Sequence, residues 1–149
     1  MNRTPGAHAG RAPWHLWLVG VLSLLWNGVG AVDYFMTQTR NEAYLGSFTP
    51  EQLAYFQSFP AWAVACWAMS VWGGVLGAAL LLARRRLAAP VFLVSLVTML
   101  PMWLYNYVLT DGLRLMGGAG ALAFSAAIFV VALGLWLYAR RLADTGVLR

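Results

Sequence analysis

The chain has no lysine, one cysteine, two histidines and five carboxylate side chains among its 149 residues. Each scarcity excludes something. A single thiol, Cys66, can form neither an intrachain disulfide nor a CxxC redox pair, and it lies in an apolar run where a small packing residue belongs. His8 and His15 have no second ligand at zinc spacing, so no metal site is expected. No GxSxG, no HExxH, no phosphate-binding loop and no Cys–His pair occurs. The expectation is a protein that is not an enzyme and needs no cofactor. Charged residues are only 10% of the chain, against about a quarter in a soluble domain. The net charge of +5 is carried by arginine alone. These arginines stand at the ends of apolar runs, so they read as topology signals and no nucleic-acid partner is expected.

What is present is apolar sequence: 61% of the residues, with a mean hydropathy of +0.67. Crossing the hydrocarbon takes about 20 such residues. Four runs qualify, at about 16–37, 60–83, 90–109 and 119–139, and none alternates with the period of a strand. The expected fold is all-α: a single membrane domain over 1–149, built as a four-transmembrane-helix bundle with the lipid bilayer as its main partner. Arg3, Arg11, Arg84, Arg85, Arg86, Arg140, Arg141 and Arg149 fall on one side of such a bundle, and only Arg40 and Arg114 on the other. The positive-inside rule then makes both termini cytoplasmic. A competing reading takes the first 31 residues as a signal peptide cut after Val29 and Ala31. The apolar run continues through Tyr34, Phe35 and Met36 to full spanning length, which favours a span.

The long connection between spans one and two has structure of its own. Thr49, Pro50 and Gln52 compose a capping box with proline at the first helical position. Leu53, Phe56 and Phe59 follow on one side. A short interfacial helix is expected at about 50–58, lying on the outer membrane surface. Span two carries a small-residue ridge, Gly73-x-x-x-Gly77 beside Ser70-x-x-x-Gly74-x-x-x-Ala78, and span four has Ala123-x-x-x-Ala127. Such ridges let helices approach closely, either within the chain or, through Gly73 and Gly77, between copies of a homo-oligomer.

The polar residues are unevenly placed. At 1.5 Å per residue, Asn27 lies about 16 Å into span one, near the midplane, and Asp33 about 25 Å in, at the outer boundary. Asn27 and Tyr34 share one helical stripe, with Gly30 beside them. In span three Pro101 reaches the midplane and frees the carbonyl of Val97, which Thr98 is placed to satisfy. Asn106 lies about 24 Å up, level with Asp33. If these groups converge with Trp62 and Trp67, they line an outward-facing pocket suited to a small uncharged polar solute. The candidate ligand-binding residues are therefore Asn27, Asp33, Tyr34, Trp62, Trp67 and Asn106. Plainer readings stand beside this one. Tyr105, Tyr107, Trp14, Trp17 and Trp103 are ordinary interfacial aromatics. Asp111 opens a turn and lies three residues before Arg114. Asn27 can bind two helices together, and Asp33 can reach water or Arg40. A faint repeat, "LLWNGVGAVDYF" against "MWLYNYVLTDGL", sets an aromatic–Asn pair before an Asp in both odd spans.

The stretches "LWNGVGAVDYFMTQTRNEAY" and "FTPEQLAYFQSFPAWAVACWAMSVWGGVLGAALLL" carry a resemblance over roughly residues 20–100. The chain resembles small uncharacterised proteobacterial four-helix inner-membrane proteins, some labelled "sugar transporter". That resemblance implies a multi-pass protein of the bacterial inner (plasma) membrane with a transport-like role. Small multidrug exporters also have four helices, but they rely on a glutamate inside span one; here Glu42 and Glu51 both lie in the outer connection. Two functions are expected in order: a small transporter-like or solute-binding protein, and alternatively a structural or assembly subunit with no ligand.

Overall fold

The computed structural model describes residues 12–149; Arg3, His8 and Arg11, which entered the reading of topology and metal sites, lie outside the described residues. The chain forms α1 (Trp14–Gln38), α2 (Glu42–Leu45), α3 (Pro50–Gln57), α4 (Ala61–Leu82), α5 (Ala88–Leu104), α6 (Gly112–Leu115) and α7 (Ala119–Asp144). A π-helical stretch, Tyr105–Leu109, continues α5. No strand occurs among the described residues. Four helices are long and apolar enough to cross a membrane: α1, α4, α5 with its π continuation, and α7. They coincide with the four apolar runs of the sequence.

The ends of the elements follow from local chemistry. Pro13 and Pro60 stand immediately before α1 and α4 in extended backbone, where a missing N–H costs nothing. α3 starts with both halves of its capping box: the Gln52 N–H donates to Thr49 Oγ1 at 3.3 Å, and the Thr49 N–H donates to Gln52 Oε1 at 3.0 Å. The α4–α5 turn places Arg84 in the left-handed region, φ 56°, a conformation that non-glycine residues adopt at a cost. The final residues hold that turn. The Arg86 N–H donates to Arg149 O and the Arg149 N–H to Arg84 O, at 2.8 and 2.7 Å, while the Arg84 guanidinium donates to Val147 O.

α4 is the central helix. It packs against α1 on one side and α5 on the other, and α7 packs on α5. The small-residue ridge explains how one helix serves two neighbours. Asn27 of α1 fills the notch over Gly74, where a Cβ would overlap its Oδ1. On the other flank, Cβ atoms at Gly73 and Gly77 would meet Ser95 at 3.1 Å and Phe92 at 2.7 Å. Ser95 Oγ adds an interhelical hydrogen bond to Ser70 O, at 2.6 Å. The Gly73/Gly77 ridge offered as a subunit contact is therefore taken up inside the chain, by α5. No such closeness occurs on α7, where Cβ atoms at Gly120 and Gly134 would meet nothing.

The best-buried core sits at the arginine-rich end. Leu16, Ala78, Leu81, Ala88, Phe92, Ala139, Leu142 and Leu148 form one cluster drawn from α1, α4, α5, α7 and the residues after it. His15 Nδ1 and the Tyr138 hydroxyl are hydrogen-bonded at its edge, 2.5 Å apart. Towards the other end α7 is more exposed: Phe124 and Val130 are 60% and 66% exposed, and the Phe124 ring lies 6.3 Å from that of Trp26. There the Tyr107 hydroxyl of the π stretch holds α7 by donating to Ala121 O at 3.2 Å and sharing a hydrogen bond with Ser125 Oγ.

The break after Pro101 is resolved differently from the expectation for Thr98. Its hydroxyl donates to Val94 O and Ser95 O, at 2.9 and 3.1 Å, one turn back, and not to the carbonyl of Val97. The distortion appears downstream, as the π stretch. A π turn displaces the regular i→i−4 bonds, and two side chains occupy carbonyls there. Asn106 Nδ2 donates to Met102 O at 2.8 Å and Thr110 Oγ1 donates to Tyr105 O at 2.8 Å.

Candidate functional site

The six residues singled out in the sequence are distributed over five places. Asn27 lies in the α1/α4 contact. Its Nδ2 donates to Ser23 O at 2.8 Å, within its own helix, and also approaches Ser23 Oγ at 3.3 Å. Its oxygen faces the bare backbone of Gly74. The amide thus joins two helices by shape, and its hydrogen bonds stay local. One turn and three residues on, Tyr34 packs edge-on against Trp67 of α4, centroids 5.0 Å apart. Asp33 points elsewhere. It accepts a short hydrogen bond from the Tyr44 hydroxyl of α2, and not from the Arg40 that the sequence offered. Trp62, 47% exposed, meets the edge of Tyr105 at 5.5 Å.

Asn106 is the centre of the fifth place. The Tyr55 hydroxyl of α3 donates to Asn106 Oδ1 at 2.8 Å and lies 2.7 Å from Thr110 Oγ1. Tyr55 and Thr110 carry one hydroxyl proton each and Asn106 Oδ1 can only accept, so with the Tyr55 proton on Asn106 the Thr110 proton is shared between the Tyr55 oxygen and Tyr105 O. Gly112 makes this approach feasible, since a Cβ there would meet both the Tyr55 oxygen and the Asn106 carbonyl. Gln52 Nε2 donates to Leu115 O at 2.9 Å. One residue from each of two successive turns of α3 therefore ties it to the α5–α6 junction. Tyr55 is only 8% exposed. Burial raises its phenol above the ordinary tyrosine range, although the Thr110 hydrogen bond works the other way. For Tyr44 burial and the Asp33 carboxylate act together and push the phenol up to about 12.

An aromatic lid surrounds these latches. Phe59 contacts Tyr55, Phe56, Trp67 and Tyr105 with centroids 5.0–6.3 Å apart, and Phe48 bridges Phe56 to Tyr44. Most of these pairs are edge-on, the geometry that the ring quadrupole favours. Trp67, read as a stacking face for a ligand, has Tyr34 and Phe59 as its neighbours.

Two concavities lie apart from this lid. One of about 220 Å³ is lined by Ala83, Arg84, Arg85 and Arg149 at the arginine-rich end. The other, about 470 Å³, lies along α1 between Leu24 and Asp33 with Tyr44 at its rim. Asp33 is the sole member of the predicted set that lines either one. Among the described residues no three His, Cys, Asp or Glu side chains stand together as a metal site. Tyr44, Gln52, Tyr55 and Thr110 were not anticipated as partners. The signal was available: a carboxylate and an amide at one membrane level, with two phenols in the connection that ends at that level.

The fold and these contacts define an all-helical, multi-pass membrane protein with extensive lipid-facing surface. No family model, curated protein or solved structure matches the chain.

Proposed function

We propose that this chain is a structural or assembly subunit of the bacterial inner membrane. In this reading both termini are cytoplasmic, α3 lies at the outer interface, and the polar residues serve to hold the helices together. The observation that carries it is the occupancy of the candidate groups by the chain itself. Asn27 is bonded to Ser23 and seated on Gly74, Asp33 is bonded to Tyr44, Asn106 is bonded to Tyr55 and Met102, and Trp67 is covered by Tyr34 and Phe59. Polar side chains within membrane helices commonly serve this purpose, each adding about 0.6 kcal/mol on average.

The second reading is a small solute carrier, as the resemblance implies. Pro101 and the π stretch favour it, because breaks of this kind accompany functional sites. α3, tied by Tyr55 and Gln52, is then a lid that lifts from Asn106. The two readings separate with Asn27→Leu and Asp33→Asn, each measured for thermal stability in detergent and for uptake of uncharged polyols into proteoliposomes. A subunit loses stability and shows no saturable uptake in any form. Saturable wild-type uptake, abolished by either change at unaltered stability, would establish the carrier instead.

A further inference from the structure

The groove along α1 belongs to neither reading and stands under both. Leu24, Leu25, Gly28, Val29 and Val32 line it, on the side of α1 away from the Asn27–Gly74 contact, and Asp33 and Tyr44 close its upper end. Gly28 forms its floor. A Cβ there would meet nothing within 4 Å, so the hollow exists because the side chain is missing and no other part of the chain fills it. From Leu24 to Val32 the helix rises about 12 Å, close to one leaflet of a hydrocarbon core about 30 Å thick. A volume of about 470 Å³ lies inside the range of roughly 300–1,000 Å³ typical of sites for small molecules.

The upper end adds chemistry to the shape. One oxygen of Asp33 accepts from Tyr44, and the other accepts no hydrogen bond from any described residue. No arginine among the described residues is bonded to it. A carboxylate at the edge of hydrocarbon without a cationic partner is costly. A lipid supplies what the chain lacks: an acyl chain for the groove and, for the carboxylate, a headgroup that is positive and donates hydrogen bonds. We propose that this groove is a site for an aminophospholipid in the leaflet opposite the arginine-rich end, one acyl chain lying over Gly28 and the primary ammonium paired with Asp33. The carboxylate repels anionic headgroups. A choline headgroup carries the charge but has no N–H to donate, so the site selects phosphatidylethanolamine over phosphatidylcholine.

The test is native mass spectrometry of the purified full chain, titrated with phosphatidylethanolamine, phosphatidylcholine and phosphatidylglycerol of identical acyl chains. The wild type is expected to retain the ethanolamine lipid roughly tenfold better than the choline lipid, the factor of one charge-assisted hydrogen bond. Asp33→Asn brings the two to parity, and Gly28→Phe, whose Cβ has nothing within 4 Å and whose ring occupies the groove, weakens both. Equal retention of the two lipids by the wild type, a preference for the anionic lipid, or wild-type binding by Gly28→Phe would overturn the proposal. So would a stable dimer that Gly28→Phe converts to monomer, since a second copy would then be the occupant. The wild-type comparison needs no variant, and it is independent of any uptake result.

Discussion

The two ends of this bundle are held by different forces. At the arginine-rich end α1, α4, α5 and α7 all contribute to one apolar cluster, with Leu16, Ala78, Leu81, Ala88 and Ala139 wholly inaccessible. At the other end α7 is mostly exposed, and cohesion comes from Tyr55 on Asn106, Gln52 on Leu115, Tyr44 on Asp33, the Tyr107 hydroxyl on Ala121 O and Ser125 Oγ of α7, and a ring cluster centred on Phe59. The difference has a physical origin. Inside lipid no hydrophobic force draws helices together, so close packing of small residues does that work where side chains permit it. α4 has its ridge at the middle and the arginine-rich end. Near its start it carries Trp62 and Trp67, too large for helices to close over, and phenols and amides bridge the gap instead.

The comparison can be broken most severely by Leu81→Ala. This residue is fully buried in the apolar cluster, and truncation is expected to cost about 2–5 kcal/mol, measured by thermal unfolding in mild detergent. Loss of less than about 1 kcal/mol would mean that the cluster is not the main anchor. Next comes Gly74→Ala, where the new methyl overlaps Asn27 and should cost about 1–3 kcal/mol. Asn27→Ala in the same chain removes the clash, so the double variant should be more stable than the sum of the singles predicts, by about 0.5–3 kcal/mol. Additive losses would show that Asn27 is not the residue filling that notch.

The smallest expected effect is a pH dependence at the other end. Tyr44 titrates at about 12 in the fold and at 10 when unperturbed. A phenol with a raised pKa stabilises the fold fully below the ordinary value and loses that contribution as pH rises from 10 towards 12. Phenolate absorbance should therefore show a late-titrating component that includes Tyr44, and Asp33→Asn should shift the Tyr44 share of it downwards. An unchanged titration in that variant would remove Asp33 as a cause.

Much of this architecture was legible in the sequence, because hydrophobic length is a strong signal. The four spans, the Thr49–Gln52 capping box and the closeness of α4 to its neighbours follow from run length, residue type and small-residue spacing. What sequence could not convey was direction. The ridge with Gly73 and Gly77 has the same text whether it faces α5 or a second copy. Asn27 and Asp33 share one helix, yet one looks to Gly74 and the other to Tyr44, and helical periodicity alone gives the angle between them without saying what stands in either direction. The π stretch was also hidden. Pro101 announced a break, but its displacement to Tyr105–Leu109 depends on Asn106 and Thr110 occupying carbonyls, a cooperation of side chains that no propensity encodes. The repeat of the odd spans survives locally: Asn27 and Asn106 each donate to the carbonyl four residues back, both at 2.8 Å.

The central claim, that the aromatic end depends on hydrogen-bonded latches in addition to its ring contacts, is tested most directly by hydrogen exchange in Tyr55→Phe. That change deletes one hydroxyl, leaving Asn106 Oδ1 without its donor and the ring contacts in place. Faster exchange is expected in α3 and the π stretch, residues 50–57 and 105–109, with the arginine-rich core around Leu81 and Phe92 unchanged. Exchange indistinguishable from the wild type in α3 and the π stretch, or a uniform rise along the whole chain, would contradict it.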